Sequence, residues 1–417
     1  MTATVDATAI AALADEPLDW RYKGLPHKWW GRTAAQVCAA APDPFDEGAV
    51  GPLCTLKASA LEHNVVTMAA WCRDRGVDLA PHGKTHMSPQ LFAMQAAAGA
   101  CAVTLATISQ VRTYRAFGIS AVILANQLVD AAGLRWLAAE LDADPGFGLT
   151  CWVDSVRGVE VMTAALTAAG ARRPVDVCVE VGMPGGRTGC RSTDEVDEVA
   201  LAAVASERLR LVGVAGYEAA LGHQVTSDAY AIVRNYLAEL RAGVLRLAPL
   251  FETDAVIVTA GGSTYFDAVA DVLGGAWPNR VEARTILRSG CYLTHDDGLY
   301  RRTSPLSSAS GLRPALTVWA QVTSRPEAGL ALLTMGRRDV SFDQDLPVPY
   351  GLPDSTVVKL NDQHAYLRVG PSDGAGVTIG SWVEFGVSHP CTVFDKWQLI
   401  PVLDDDGRVV ELVRTFF

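Results

Sequence analysis

No apolar run in this chain reaches the roughly 18 residues that a membrane-spanning helix needs. No cluster of Lys and Arg is present: 35 basic residues stand against 46 acidic ones, a formal charge of −11. That balance argues against nucleic acid and anionic membrane surfaces as partners. The N-terminal stretch MTATVDATAIAALADEPLDW lacks a basic start followed by an unbroken apolar core, so a secretory leader is not expected and a cytoplasmic location is. Nine cysteines are an odd number in a long chain, and a reducing compartment would leave them as thiols, most of them acting as small buried hydrophobes. A cysteine with a chemical role must therefore show special neighbours.

What is present is an ordinary globular composition, 49% hydrophobic and 19% charged over 417 residues. This length exceeds one average domain and implies two. From residue 77 short apolar runs alternate with helical patterns: VDLA at 77, CAVTLA at 101, AVILAN at 121, GLTCWVD at 148, VDVCVEV at 175, RLVGVAGYE at 210, AVIVTAG at 255 and RTILRSG at 284. Ser88-Pro89 and Ser109 read as helix starts, Gly99 and Gly118 as stops, and Asp130 and Ser155 as further caps. Strands alternating with helices imply parallel pairing through right-handed crossovers. The expected fold is α/β, a (β/α)8 barrel followed by a C-terminal all-β domain, with a doubly wound open sheet as the runner-up. After residue 305 the pattern turns to strands and tight turns (ALTVWAQVTSR, LALLTMG, VVKLNDQHAYLRV, WVEFGVSHPCTVF). The expected division is residues 1–50 as an extension, 51–304 as the barrel and 305–417 as the β domain. The Trp-rich PLDWRYKGLPHKWWGRT either packs on another part of the chain or on a partner subunit, or forms a lid of surface aromatics.

In a barrel, reactive groups sit just after strand C-termini. There APHGKTHMSPQ places Lys84 between His82 and His86. A lysine in a pocket mouth can serve as an amine nucleophile toward an aldehyde, and a surface loop lysine is the plainer alternative. VGMPGGRTGC follows the run at 175, and Arg187 in it suits a carboxylate, a phosphate or a cofactor oxygen. A simple glycine-rich turn is an equal contender. In TAGGSTYFD, Gly261 and Gly262 allow close approach of a ligand, while Ser263 and Thr264 are expected to open a helix whose first amides bind phosphate. Tyr217 in AGYEAALGH suits stacking on a planar ring, or simply a core position. SHPCTVFDKW carries His389 and Cys391 at i, i+2, expected on one face of a strand. Both side chains are good Zn2+ ligands, and two protein ligands leave positions for water and substrate. His364 is a candidate third ligand, and solvent is the alternative.

PHGKTH at the start of a barrel, a late GGST loop and a β domain ending in SHPC resemble the D-serine dehydratase and D-threonine aldolase family over about residues 50–415. The resemblance implies a pyridoxal 5'-phosphate enzyme of the alanine-racemase fold. It implies that Lys84 holds the cofactor as a Schiff base, that Tyr217 lies beside it, and that Gly261, Gly262, Ser263 and Thr264 take its phosphate. Arg187 falls in the family's GRTG-like loop, and His389 and Cys391 match its metal pair. The family's dehydratases carry His-x-Cys there and its aldolases usually His-x-Asp, so Cys391 favours loss of water. The substrate expected is a small D-amino acid with a β-hydroxyl such as D-serine, giving a 2-oxo acid and ammonia. Aldol cleavage to glycine and an aldehyde is the alternative reaction, racemisation a third, and a cofactor carrier the non-enzymatic one. A homodimer is implied by fold analogy. Two departures stand: Gly83 replaces a residue that is often bulkier, and the Trp-rich N-terminus is longer than the family core.

Overall fold

The eight apolar runs become eight parallel strands. The structure, a computed structural model, describes residues 3–278, 281–308 and 311–417. Strand β1 is Leu53–Lys57, and the runs follow as β2 (Asp78–Leu79), β3 (Val103–Leu105), β4 (Ala121–Gln127), β5 (Gly148–Val153), β6 (Val175–Glu180), β7 (Leu209–Ala215), β8 (Val256–Ala260) and β9 (Ala283–Leu287). Their sheet order is β2-β9-β8-β7-β6-β5-β4-β3. A parallel bridge between His82 and Thr104, backed by Cys101 N–H to Leu79 O at 2.8 Å, joins β2 to β3. These strands are short and almost wholly buried, as a parallel sheet covered on both faces requires. The (β/α)8 expectation holds, and the open-sheet runner-up does not.

Local chemistry sets the helix ends. The side chains of Asp130, Ser155 and Ser192 accept from the amides of Ala132, Gly158 and Glu195 at helix starts. The helix Ile108–Ala116 is capped by Thr107, one position before it, and not by Ser109. Gly99 and Gly118 both have positive φ, 104° and 69°, which a glycine adopts without a Cβ clash at a helix stop.

Two compact units emerge. The first comprises residues 1–6, 68–84 and 95–290 and contains β2–β9; the second comprises 7–67, 85–94 and 291–417. The expected boundaries fall elsewhere, and β1 gives the physical reason. In the second unit β1 pairs antiparallel with β10 (Leu316–Glu327), Leu53 opposite Trp319 and Leu56 opposite Leu316. It also pairs parallel with a strand at Leu399–Leu403. Residues 51–67 therefore belong with the C-terminal sheet. That sheet adds β11 (Leu330–Leu333), β12 (Val348–Pro349), β13 (Thr356–Leu360), β14 (Ala365–Arg368), β15 (Trp382–Gly386), β16 (Leu399–Leu403) and β17 (Val409–Arg414) to β1 and β10.

Part of the N-terminal segment packs into the core of the second unit, and part of it stays at the surface. Leu18, Tyr22, Leu25, Trp29 and Val37 pack with Leu53, Leu399, Val409 and Leu412 in one buried cluster. Of the three tryptophans there, Trp20 and Trp30 stay exposed at 74% and 43%, while Trp29 is fully buried. Among the described residues no helix is long and apolar enough to cross a membrane.

Candidate functional site

The C-terminal ends of the barrel strands carry a set of polar side chains. Lys84 sits in the 3-10 turn Gly83–Thr85 that follows β2, and its side chain is exposed. Gly83 is small for a visible reason. A Cβ there would stand 2.7 Å from Tyr114 Oη and from Val103 Cγ2. Tyr114, fully buried, donates its hydroxyl to Gly83 O at 3.1 Å and so fills the space that a bulkier residue would take.

His82 is only partly exposed, and its Nδ1 is sealed from water without a hydrogen-bond partner. Burial, then the charges of Lys84 and Arg288, hold its imidazole well below the usual range, so it is neutral at pH 7. His86, in the second unit, is fully buried; its Nδ1 accepts from Ser88 N–H at 3.0 Å, a local structural role.

Arg187 is exposed, with its guanidinium 4.9 Å from the centre of the Tyr217 ring. The two line one pocket with Glu180, Thr188 and Tyr236. The Arg187 loop is held from below by Arg191, whose guanidinium donates to the carbonyls of Gly186, Arg187, Thr188 and Gly189 at 2.8–3.0 Å. Gly189 N–H donates to Asp154 and Thr188 Oγ1 to Glu180 Oε1. Tyr217 is placed through its amide, which donates to Tyr236 Oη at 3.0 Å, while Tyr236 donates on to Val181 O at 2.7 Å.

The glycine loop differs from expectation in two respects. The helix begins at Phe266, not at Ser263. The amides of Gly261 and Gly262 donate to the carboxylate of Glu218 at 2.8 and 2.6 Å. The anion they meet is thus the protein's own. Gly261 has φ +99°, and Gly262 lies so close to Tyr217 that an added Cβ would stand 3.2 Å from its ring. Thr264 Oγ1 lies 3.1 Å from His223 Nδ1, and Ser263 is partly exposed.

Three buried charges were not singled out as site residues from the sequence. Glu218 is fully buried, Glu180 is 4% exposed and Arg288 is 6% exposed. Arg288 ends the run after β9 and donates to Thr259 Oγ1 and Gly216 O, each at 2.6 Å. Burial lowers its guanidinium below the ordinary value, against the opposing pull of Glu218 and Glu180. A signal was available: each of these charges stands at or just beyond the end of an apolar strand run, where a buried strand has no other use for it.

In the second unit, His389 and Cys391 do not lie on a strand. β15 ends at Gly386, His389 has φ +60°, and Cys391 begins the short helix Cys391–Phe394. The pairing of donors is nonetheless one a metal accepts. His389 Nδ1 lies 2.5 Å from Asp343 Oδ2, which leaves Nε2 for a metal in the usual carboxylate–histidine arrangement. Burial opposes ionisation of Asp343, but hydrogen bonds from Thr392 and His389 outweigh it and hold the carboxyl below its ordinary value. The His389 amide donates to Asp296, a buried carboxylate that also accepts from Gly298, Tyr300 and Arg301. Cys391 Sγ stands 3.4 Å from both Thr85 Oγ1 and Cys291 Sγ. The hydrogen bond to Cys391 and burial push the Cys291 thiol well above its usual value. His364 lies exposed in the turn between β13 and β14. Among the described residues no three His, Cys, Asp or Glu side chains form a metal-holding group, so His364 is not drawn in.

Comparison with known proteins agrees with this architecture. Residues 56–261 match the family model "Alanine racemase, N-terminal domain", and residues 315–403 match "Putative serine dehydratase domain". The D-threonine aldolase of Arthrobacter sp is 27% identical over 360 residues, covering 85% of this chain and 89% of that protein. The D-threo-3-hydroxyaspartate dehydratase of Delftia sp. (strain HT23) is 25% identical, covering 86% and 95%. The crystal structure of D-threonine aldolase from Filomicrobium marinum superposes with a TM-score of 0.75 at 26% identity, over 88% of this chain and 95% of that one. With the barrel strands matched by the first family model and the C-terminal sheet by the second, the chain belongs to the alanine-racemase-fold group of pyridoxal-phosphate enzymes whose C-terminal part is a serine dehydratase domain.

Proposed function

We propose that the protein is a pyridoxal-phosphate- and zinc-dependent lyase that removes water from a D-amino acid with a β-hydroxyl, giving a 2-oxo acid and ammonia. The observation that carries the lyase reading is Lys84, an exposed amine on the turn that ends the first barrel strand, in the same unit as Arg187, Tyr217 and the Gly261–Gly262 loop. The residues suit the cofactor. The sealed, unpartnered Nδ1 of His82 is a buried polar atom that asks for a ligand. Because Glu218 holds the amides of Gly261 and Gly262, the phosphate falls to Ser263 and the first turn of the following helix. The donor set of His389, backed by Asp343, and Cys391 suits Zn2+ better than Mg2+.

When bound, pyridoxal phosphate supplies the electron sink for charge developing at the substrate Cα. The chain's own residues do the rest. Lys84 would hold the cofactor's aldehyde, and its amine would serve as general base for the proton at the substrate Cα. Tyr217, pinned through its amide, and Arg187, lying against its ring, position the planar groups and an anionic oxygen. His389 and Cys391 would hold the metal that polarises the β-oxygen and eases its departure. The His-x-Cys form of this pair, by family resemblance, supports elimination. The protein is taken to act as a cytoplasmic homodimer, which size-exclusion chromatography tests.

A second reading is aldol cleavage to glycine and an aldehyde. It is favoured by two relatives, the Arthrobacter D-threonine aldolase and the 3-hydroxy-D-aspartate aldolase of Paracoccus denitrificans (strain Pd 1222), 26% identical over 76% of this chain and 80% of that protein. Purified protein should be yellow, with a band at about 420 nm from the lysine Schiff base, and Lys84→Ala should bleach it. A colourless wild-type protein after reconstitution sinks both readings. D-serine, D-threonine and D-3-hydroxyaspartate then divide them: ammonia with an oxo acid marks elimination, glycine with an aldehyde marks cleavage.

A further inference from the structure

Cys391 has a second thiol against it. Cys291 Sγ lies 3.4 Å from Cys391 Sγ, and Thr85 Oγ1 lies 3.4 Å from Cys391 Sγ and 3.9 Å from Cys291 Sγ. All three residues belong to the second unit. The two cysteines differ in access. Cys391 and Cys38 are the two of the nine that are only partly buried, while Cys291 is 5% exposed behind Cys391. Neither backbone segment is locked in a ladder. Cys291 opens the 3-10 turn Cys291–Leu293, and Cys391 follows the left-handed His389 at the head of a one-turn helix. A disulfide needs its sulfurs at about 2.0 Å, so side-chain rotation has to close about 1.4 Å.

We propose that Cys291 and Cys391 are a peroxide-oxidised disulfide pair, and that forming this bond withdraws Cys391 from the metal donor set. The first half stands on the sulfur geometry alone; the second rests on the metal reading above. The oxidant is a hydroperoxide. The Cys391 sulfur attacks one peroxide oxygen, the O–O bond breaks, the other oxygen leaves as water or alcohol, and Cys391 carries a hydroxyl. The Cys291 sulfur then attacks the Cys391 sulfur. The S–S bond forms, and the hydroxyl leaves with the thiol proton as water. Two electrons pass from the sulfur pair to the O–O bond. Two equivalents of a small thiol reverse the change. The arrangement gives the exposed sulfur a resolving partner before it can proceed to the sulfinic acid, from which a thiol does not recover it.

The test uses the full-length protein as isolated with its metal. It is treated with hydrogen peroxide and followed by thiol titration, non-reducing peptide mapping and a colorimetric metal chelator. Free thiols should fall from nine to seven per chain. One cross-linked peptide pair should contain Cys291 and Cys391, metal should appear in solution with the same time course, and dithiothreitol should reverse the cross-link. In Cys291→Ser, Cys391 should pass to the sulfinic acid and dithiothreitol should fail to restore it. Wild-type protein in which Cys391 is oxidised and Cys291 stays a free thiol refutes the proposal, whatever the variant does. Cross-linked protein that keeps its metal refutes the second half. Protein that cross-links but held no metal beforehand refutes the metal reading and leaves the disulfide pair standing.

Discussion

Replacing Glu218 by glutamine should loosen the glycine loop without changing its packing. Glu218 is fully buried and accepts from Gly261 N–H at 2.8 Å and from Gly262 N–H at 2.6 Å. Glutamine keeps the volume but offers only one oxygen. One amide then exchanges a charge-assisted bond for a neutral one, a loss of about 1 kcal/mol. The other faces a side-chain NH2 and is left unsatisfied in a dry site, which costs about 1–3 kcal/mol. The sum is about 2–4 kcal/mol, before counting the lost attraction to Arg288, for which Glu218 is the leading carboxylate. Because the chain has two units, a single unfolding transition is a poor measure, and local opening is a better one. Amide exchange by mass spectrometry over a peptide spanning β8 and the loop should speed up about 30- to 700-fold at 1.4 kcal/mol per tenfold. A peptide covering β4 is the control. Exchange at the loop within about threefold of wild type would show that the two amides do not depend on Glu218, and the account of this loop would fall.

Other outcomes follow from single contacts. Asp343→Asn should weaken zinc binding about 10- to 100-fold in competition with a chelator, because it removes the carboxylate that fixes the His389 ring. Arg191→Met removes the donor to four loop carbonyls and should raise KM for substrate more than it lowers kcat, since it frees the segment that carries Arg187; an unchanged KM would leave the loop self-supporting. Gly83→Ala places a methyl 2.7 Å from Tyr114 Oη and should cost about 1–3 kcal/mol, with a lowered melting temperature that Tyr114→Phe partly restores. His295, buried, is lowered from 6.5 to about 4, chiefly by burial and then by Arg301. The unfolded chain therefore takes up this proton below about pH 6.5 and the folded one only near pH 4. Stability falls across that window as pH drops, by up to about 3 kcal/mol, and denaturant titrations of His295→Asn should show a flatter profile.

The barrel was legible because buried parallel strands write themselves as mostly apolar runs, and all eight runs became strands at nearly the expected positions. The candidate site could be proposed from the sequence only where one residue type implies one chemistry: a lysine at a strand end, paired glycines, a His-x-Cys. It was illegible wherever function depends on a partner distant in the chain. Glu218 meets Gly261 and Gly262 some 43 and 44 positions away, His389 meets Asp343 at 46, and Cys391 meets Cys291 at 100. No periodicity records such distances. The spacing argument also failed where it assumed regular backbone: i, i+2 placed His389 and Cys391 on a strand face, but a left-handed His389 followed by Pro390 turns the chain there. The missed charges carry a rule that is usable in advance. β6 runs VDVCVE and the run through β9 is ARTILR; each has a half-buried charge near its start, Asp176 and Arg284, and a buried one at its C-terminal end, Glu180 and Arg288. A buried strand bears the desolvation cost of a terminal charge only where other polar groups gather to meet it. In a parallel barrel that place is the mouth at the strand C-termini. The buried terminal charges Glu180 and Arg288 therefore point to the candidate mouth on desolvation grounds, whereas Lys84, which is exposed, points to it through its chemistry alone.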